Sequence, residues 1–257
     1  MLKIVKDSVL KVSRSLGYDI VPLREMRERD FALHLRELLT RLDIDCVLDV
    51  GANVGQYRDF LRNRVLYQGR IVSFEPVAKH VAVLRDRAGD DALWHVEGCA
   101  LGADDREMTI NVMVSDQFSS FLEPDNDRVH DYADLNVPCG QEAVAVRTLD
   151  GILPRLQERF GFARPYLKLD TQGFDLEVLR GARTSLGNVC ALQTEASIRG
   201  IYKGMPGYME TLQALDGLGF DITGMYTVSR DTALRLVEFD CVMVNRLAIA
   251  APGDGVT

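Results

Sequence analysis

The stretch Cys46-Val47-Leu48-Asp49-Val50-Gly51-Ala52-Asn53-Val54-Gly55 changes character half-way, from a nearly continuous apolar run to a turn of small residues. Such a run is how a strand buried on both faces reads, as in a parallel sheet covered by helices on each side. Gly51 and Gly55 leave out side chains where the chain turns, and Asn53 is among the few other residues that tolerate left-handed conformations. In a doubly wound α/β sheet, ligands bind at the carboxyl ends of the strands, where this turn would lie. Glycine alone is weak evidence, since any tight turn uses it, and the surrounding pattern has to support the reading.

Downstream the pattern holds. Strands are expected near 46–50, 70–74, 93–97, 166–169, 189–194, 219–225 and 235–245. Helices are expected near 55–65, 77–88, 149–160, 174–180 and 207–218, and this alternation predicts a parallel sheet with crossover helices. A longer insert, about 99–148, contains two alternating stretches, 107–114 and 142–148, that read as a β-ribbon or lid. Upstream, Phe31, Leu35, Leu38 and Leu42 recur at helical spacing over 27–41. Residues 2–16 form a second amphipathic pattern through Leu2, Val5, Val9, Val12 and Leu16, with lysines and Arg14 largely elsewhere. Three readings of it stay open: packing on its own domain or on a second subunit of a homo-oligomer, weak contact of residues 1–18 with a membrane surface, or disorder. The expected organisation is a helical extension over 1–44, one α/β domain over 45–247 and a frayed tail over 248–257.

Bulk properties bound the function. A chain of 257 residues with 47% hydrophobic content suits one covered α/β domain. A formal charge of -8 opposes nucleic acid as a partner, because the net field repels a phosphate backbone. Five cysteines without a C-x-x-C pair read as buried thiols of a reducing cytoplasm. The start lacks the uninterrupted apolar core of a signal peptide, and no 18-residue apolar run exists. The expected location is cytoplasmic, peripheral to the inner membrane face if the first helix makes lipid contact.

Ile71-Val72-Ser73-Phe74-Glu75-Pro76 ends a second strand on a carboxylate, 20 residues after Gly55. A carboxylate there can accept hydrogen bonds from both ribose hydroxyls of a nucleoside. The plainer alternative is that Glu75 caps the helix after Pro76. A dinucleotide fits less well than S-adenosylmethionine, because the turn is not G-x-G-x-x-G. Asp49 near the first turn also disfavours a pyrophosphate and suits an amino-acid ammonium, directly or through water.

The sequence resembles the FkbM family of S-adenosylmethionine-dependent methyltransferases. The resemblance runs through Val47 to Tyr57, Phe74-Glu75-Pro76, Ala100-Leu101-Gly102, Thr148-Leu149-Asp150, Lys168-Leu169-Asp170-Thr171-Gln172-Gly173-Phe174-Asp175 and Phe239-Asp240. It implies a class I methyltransferase fold of the Rossmann-like type, with strand order 3-2-1-4-5-7-6 and an antiparallel seventh strand. It also implies cofactor contacts from Asp49, Gly51, Asn53, Gly55 and Glu75, with Ala100 and Leu101 flanking the adenine. The family normally carries glutamate where Gln172 and Asp175 stand. Asp175 keeps the charge, whereas Gln172 keeps only the capacity to hydrogen-bond. The implied reaction is methylation of a hydroxyl, on a sugar of a glycolipid or other glycoconjugate, or alternatively on a polyketide. A non-catalytic nucleotide-binding module is the rival from another class.

Tyr166 to Asp170 and Ala191 to Glu195 each finish a strand on a carboxylate, and adjacent strands lie ~4.8 Å apart. Asp170 and Glu195 are thus the candidate catalytic pair. Three readings compete: a Mg2+ site held by both, metal-free base catalysis by Asp170 or a histidine, and a structural cap for the helix near Phe174. Lys168 is a candidate partner of a buried carboxylate such as Asp175. His130, in the insert, is a base candidate, His95 reads as core, and His34 and His80 read as surface or packing residues. Ser119, within Ser115 to Phe121, together with Tyr202 and Gln172, is expected to line the acceptor pocket.

Overall fold

The computed structural model describes residues 26–127 and 130–250. The amphipathic pattern of residues 2–16, the proposed membrane contact of 1–18 and the tail beyond 250 lie outside the described residues. The His130 side chain lies outside them as well.

Strand β1 (Cys46–Val50) is buried along its whole length and pairs in parallel with β2 (Arg70–Phe74) and β7 (Pro165–Leu169). β2 pairs with β3 (Trp94–Glu97), and β7 pairs with β8 (Ala191–Ser197), both in parallel. β10 (Leu236–Asn245) runs antiparallel between β8 and β9 (Phe220–Arg230). The sheet order is therefore β3-β2-β1-β7-β8-β10-β9. Its running numbers differ from the expected 3-2-1-4-5-7-6 because three strands of a separate sheet intervene between β3 and β7. These are β4 (Ala100–Leu101), β5 (Arg106–Met113) and β6 (Pro138–Arg147), in the order β4-β6-β5.

Alternation along each strand divides the core into two layers. Cys46, Leu48 and Val50 of β1 join one cluster with Leu149, Ile152, Leu153 and Leu156 of α4 (Leu149–Phe160) and Leu179 of α5 (Asp175–Arg180). Val47 points the other way, into a cluster with Leu35, Leu38 and Leu39 of α1 (Met26–Arg41) and Val81 and Leu84 of α3 (Ala78–Ala88). Burying one such side chain fully is worth about 1.5–3 kcal/mol, so the two layers together lock the sheet between helices. α1 thus completes the second layer, and its expected helical period is the stripe that packs. Two further short helices are α6 (Tyr208–Gly217), before β9, and α7 (Arg246–Ala250), after β10. Of the tail expected to fray, 248–257, residues 248–250 belong to α7, at whose start Arg246 Nε donates to Asp221 Oδ1 at 2.8 Å and the Arg246 backbone N–H to Gly219 O at 2.9 Å.

Helix α2 (Gln56–Phe60) follows the first turn and continues as a π-helical segment, Leu61–Val65. The Thr148-Leu149-Asp150 motif has a structural role. Thr148 Oγ1 caps α4 by accepting from Gly151 N, and Asp150 accepts from the backbone N–H groups of Thr184 and Ser185.

Candidate active site

At the end of β1 the chain turns through Gly51 (φ 81°), Asn53 (φ 49°) and Gly55 (φ 93°). A Cβ on Gly51 would stand 1.9 Å from the carbonyl oxygen of Asp170, so the close approach of β1 and β7 at their ends requires glycine. Asn53 N donates to Glu75 Oε2 at 2.8 Å, and Val77 N donates to Glu75 Oε1 at 2.9 Å. The carboxylate is thereby fixed at the end of β2 with acceptor capacity left over. It takes the N–H of Val77, the residue just before α3, without capping the first turn of that helix, and it lines the cavity.

A cavity of about 1050 Å³ opens here, lined by Gly51, Asn53, Glu75, Ala100 and Leu101 at one end. It runs continuously to Asp170, Gln172, Glu195, Glu238 and Asp240 at the other. Phe118, Ser119 and Phe121 of the insert line it as well.

At the far end, Gln172 Nε2 donates to Asp170 Oδ1 at 2.8 Å and to Glu195 Oε2 at 3.2 Å. Gln172 itself sits at φ 52°, followed by Gly173 at φ 91°. That turn is held by Ser120 Oγ donating to Gln172 O at 2.8 Å and by Asp175, which accepts from Thr171 N and from Thr194 Oγ1. Burial pushes the Asp175 carboxyl above its ordinary value, opposed by these hydrogen bonds. Lys168 Nζ lies 3.2 Å from Asp49 Oδ1 and 3.3 Å from Asp170 Oδ2. Burial works to lower its affinity for a proton, yet Asp170 and Asp49 outweigh burial and hold the amine firmly charged.

Lys168 was expected to pair with a carboxylate such as Asp175. Its partners are Asp49 and Asp170 instead, because Lys168 stands opposite Asp49 in the β1/β7 register and therefore on the same face. Asp49 in turn was expected to contact a cofactor. Its carboxylate is 0% exposed, bound to Lys168 and to Ser73 Oγ, and it does not line the cavity.

The Methyltransferase FkbM domain matches residues 49–222. The chain belongs to the FkbM methyltransferase family. No curated protein matches it. Among solved structures, it is similar to an FkbM methyltransferase from Methylobacillus flagellatus KT, at 17% identity, a TM-score of 0.47 and coverage of 78% of this chain. It spans only 44% of that protein's length. It is also similar to the SAM-bound magnesium protoporphyrin IX methyltransferase of Synechocystis PCC 6803, at 10% identity and a TM-score of 0.45, covering 95% of this chain and 96% of that one. A third likeness is to Aeropyrum pernix fibrillarin with bound S-adenosyl-L-methionine, at 12% identity and a TM-score of 0.41, covering 78% and 66%.

In this FkbM-family chain the expected donor-side residues Gly51, Asn53, Glu75, Ala100 and Leu101 share one end of the cavity, with Gly55 closing the turn behind them. Asp170, Gln172, Glu195 and Ser119 share the other. The magnesium site expected at Asp170 and Glu195 does not fit the donor set. The Gln172 amide bridges the two carboxylates where a cation would have to stand, and Lys168 already neutralises Asp170. Among the described residues no group of three or more His, Cys, Asp or Glu could hold a metal ion. Tyr202 does not line the cavity. It is 2% exposed, with its hydroxyl 2.7 Å from Phe118 O and 3.0 Å from Gln172 Oε1, so its single proton serves one of them at a time and braces both. The backbone of His130 lies in a short 3-10 turn, His130–Tyr132. His95 is only half-buried and lies 3.0 Å from Glu97 Oε1.

Sequence reasoning missed Glu238 and His80. Burial and the Asp170 charge push Glu238 up to about 7. Burial and the charges of Glu238, Asp170 and Asp240 push Glu195 well above the carboxylate range. The signal for Glu238 was present, since Glu238 and Asp240 interrupt an apolar strand at i and i+2 and so share a face. His80, read as a surface or packing residue, is 3% exposed, with Nδ1 3.4 Å from Glu75 Oε1 and Nε2 3.3 Å from Asp116 Oδ2. Burial alone would lower its pKa, but Glu75 and Asp116 outweigh that and raise it. Nothing local in the sequence announces that Asp116 comes down onto α3.

Proposed function

We propose that the chain is an S-adenosylmethionine-dependent O-methyltransferase whose acceptor is a sugar hydroxyl of a glycolipid or other glycoconjugate. One observation carries this reading: a single cavity joins a nucleoside-type end, Gly51 to Asn53 with Glu75 and Leu101, to a carboxylate-rich end at Asp170 and Glu195. The residues present suit the donor. Gly51, at positive φ, brings bare backbone to the cavity, and the held Glu75 carboxylate can accept from a ribose diol.

When bound, S-adenosylmethionine supplies an electrophilic methyl group; the carbon–sulfur bond breaks as the oxygen–carbon bond forms, and the electron pair stays on sulfur. The chain's own task is to place the hydroxyl and take its proton. Positioning is worth at most ~7–11 kcal/mol of barrier, and a placed base adds about 10²- to 10⁴-fold. Asp170 is the acceptor of that proton, since its side chain is 38% exposed to the cavity and held by Gln172 on one oxygen and Lys168 near the other. Gln172, neutral in place of the family's glutamate, fixes Asp170 and Glu195 without adding a third charge. Phe118, Phe121, Gln117 and Ser119 offer ring faces beside hydrogen-bonding groups, the combination that sugars require.

The test is calorimetric and then chemical. S-adenosylhomocysteine should bind and NAD should not. Radiolabelled methyl should then pass from S-adenosylmethionine to a hydroxyl in a glycoconjugate panel. Binding of NAD without S-adenosylhomocysteine would refute the enzyme reading, and transfer confined to polyketides would refute the sugar.

A further inference from the structure

The β8/β10 end of the cavity gathers several carboxylates and few cations among the described residues. Asp170, Glu195, Glu238 and Asp240 all line it. They converge because Asp240 pairs with Glu195 in the β8/β10 register, and Glu238 lies two residues away on the same face. Lys168 is in ion-pair contact with Asp170 and is shared with Asp49.

Three of the four carboxylates have firm donors. Gln172 serves Asp170 and Glu195, and Gln193 Nε2 donates to Asp240 Oδ1 at 2.8 Å. Glu238 differs. It is 6% exposed, its Oε2 receives only a 3.5 Å contact from Ser229 Oγ, and its Oε1 is buried without a hydrogen-bond partner among the described residues. An unmatched buried carboxylate oxygen is unfavourable, and a ligand that brings a donor relieves it. Burial, and after it the neighbouring charges, also pushes Asp240 up to about 6 and Glu238 up to about 7, so an ammonium beside them would favour their charged forms.

Resting on the methyltransferase reading above, we infer that this end of the cavity receives a protonated amine of the acceptor, with Glu238 as its principal partner. The hydroxyl that is methylated then belongs to an amino sugar or a related amino alcohol. A neutral polyol could supply hydrogen-bond donors but no positive charge to pair with these carboxylates. A metal ion is disfavoured because, among the described residues, no three of these carboxylates are placed closely enough to hold one. The cavity wall beside Ser229 adds Tyr226, packed against Phe31 at 4.8 Å, and ring faces of this kind attract an ammonium.

The experiment uses the full chain saturated with S-adenosylhomocysteine at neutral pH. Binding of glucosamine, N-acetylglucosamine and glucose is measured by calorimetry; N-acetylation removes the charge while keeping the ring hydroxyls. Glucosamine should bind at least about 10-fold tighter than the other two, and Glu238→Gln should remove about 10- to 100-fold of that preference. The affinity for S-adenosylhomocysteine, measured on the same samples, should stay unchanged and reports that the variant is folded. If Glu238→Gln fails that check, Asp240→Asn carries the same comparison. Equal binding of the three sugars, a preference that survives in the variant, or no saturable glucosamine binding overturns the proposal. Failure of the wild type to bind S-adenosylhomocysteine strikes the donor reading instead.

Discussion

Replacing Glu238 by glutamine should make the protein more stable, and only above acidic pH. The glutamate's ordinary value of 4.5 is raised to about 7 by burial and by the nearby Asp170 and Asp240 carboxylates, so the folded state holds this proton more tightly than the unfolded chain does. A group whose folded pKa is raised contributes stability below its unfolded pKa, and that contribution is lost as pH climbs through the folded value. With 1.36 kcal/mol per unit, the loss reaches ~3 kcal/mol once both states are ionised, and between about pH 5 and about pH 8 it changes by ~2.5 kcal/mol. Glu238→Gln keeps the shape and removes the titration. Urea unfolding near both pH values should therefore show the variant gaining about 2–3 kcal/mol relative to wild type at the higher pH over its difference at the lower. An equal difference at both pH values, or a variant less stable at the higher one, would refute the claim that this carboxylate is buried at an electrostatic loss.

Four further outcomes are expected. Glu75→Ala should weaken S-adenosylhomocysteine binding about 10- to 100-fold in calorimetry, because a held carboxylate that accepts ribose hydroxyls is lost. Asp170→Asn should lower kcat about 10²- to 10⁴-fold with donor affinity nearly retained, and a variant that fails to fold would instead assign Asp170 to structure. Lys168→Met leaves Asp49 charged, buried and without its ion-pair partner, so denaturation should show a loss of about 3–5 kcal/mol. Methyl transfer should persist in excess chelator, since the Gln172 amide occupies the bridge between Asp170 and Glu195; loss of activity restored by Mg2+ would overturn that view.

Much of the architecture was legible in one dimension. β1, β2 and α4 have the bounds that their patterns predicted, because a strand buried on both faces and a helix with a single apolar stripe each leave a local period. The turn after β1 and the carboxylate after β2 were legible for the same reason: both are short-range consequences of where a strand stops. The Gly51 constraint was only half visible. A turn calls for glycine, but the clash with Asp170 O across the sheet is what forbids a side chain there.

Partnerships were not legible, since they depend on register and on chain segments far apart in sequence. Lys168 chooses Asp49 over Asp175 because the β1/β7 register sets them side by side. Tyr202 turns away from the cavity to brace Gln172 and Phe118, a choice made by the insert folding against the loop after β8. The opening stretch, 46–55, thus determined a strand buried on both faces followed by a glycine turn, and the alternation downstream of it made that strand part of a parallel α/β sheet. Which carboxylates would be neutralised, bridged or left short of a donor was decided only when β7, β8 and β10 came together. Charge acts through space, and only packing brings those charges within a few ångströms of one another.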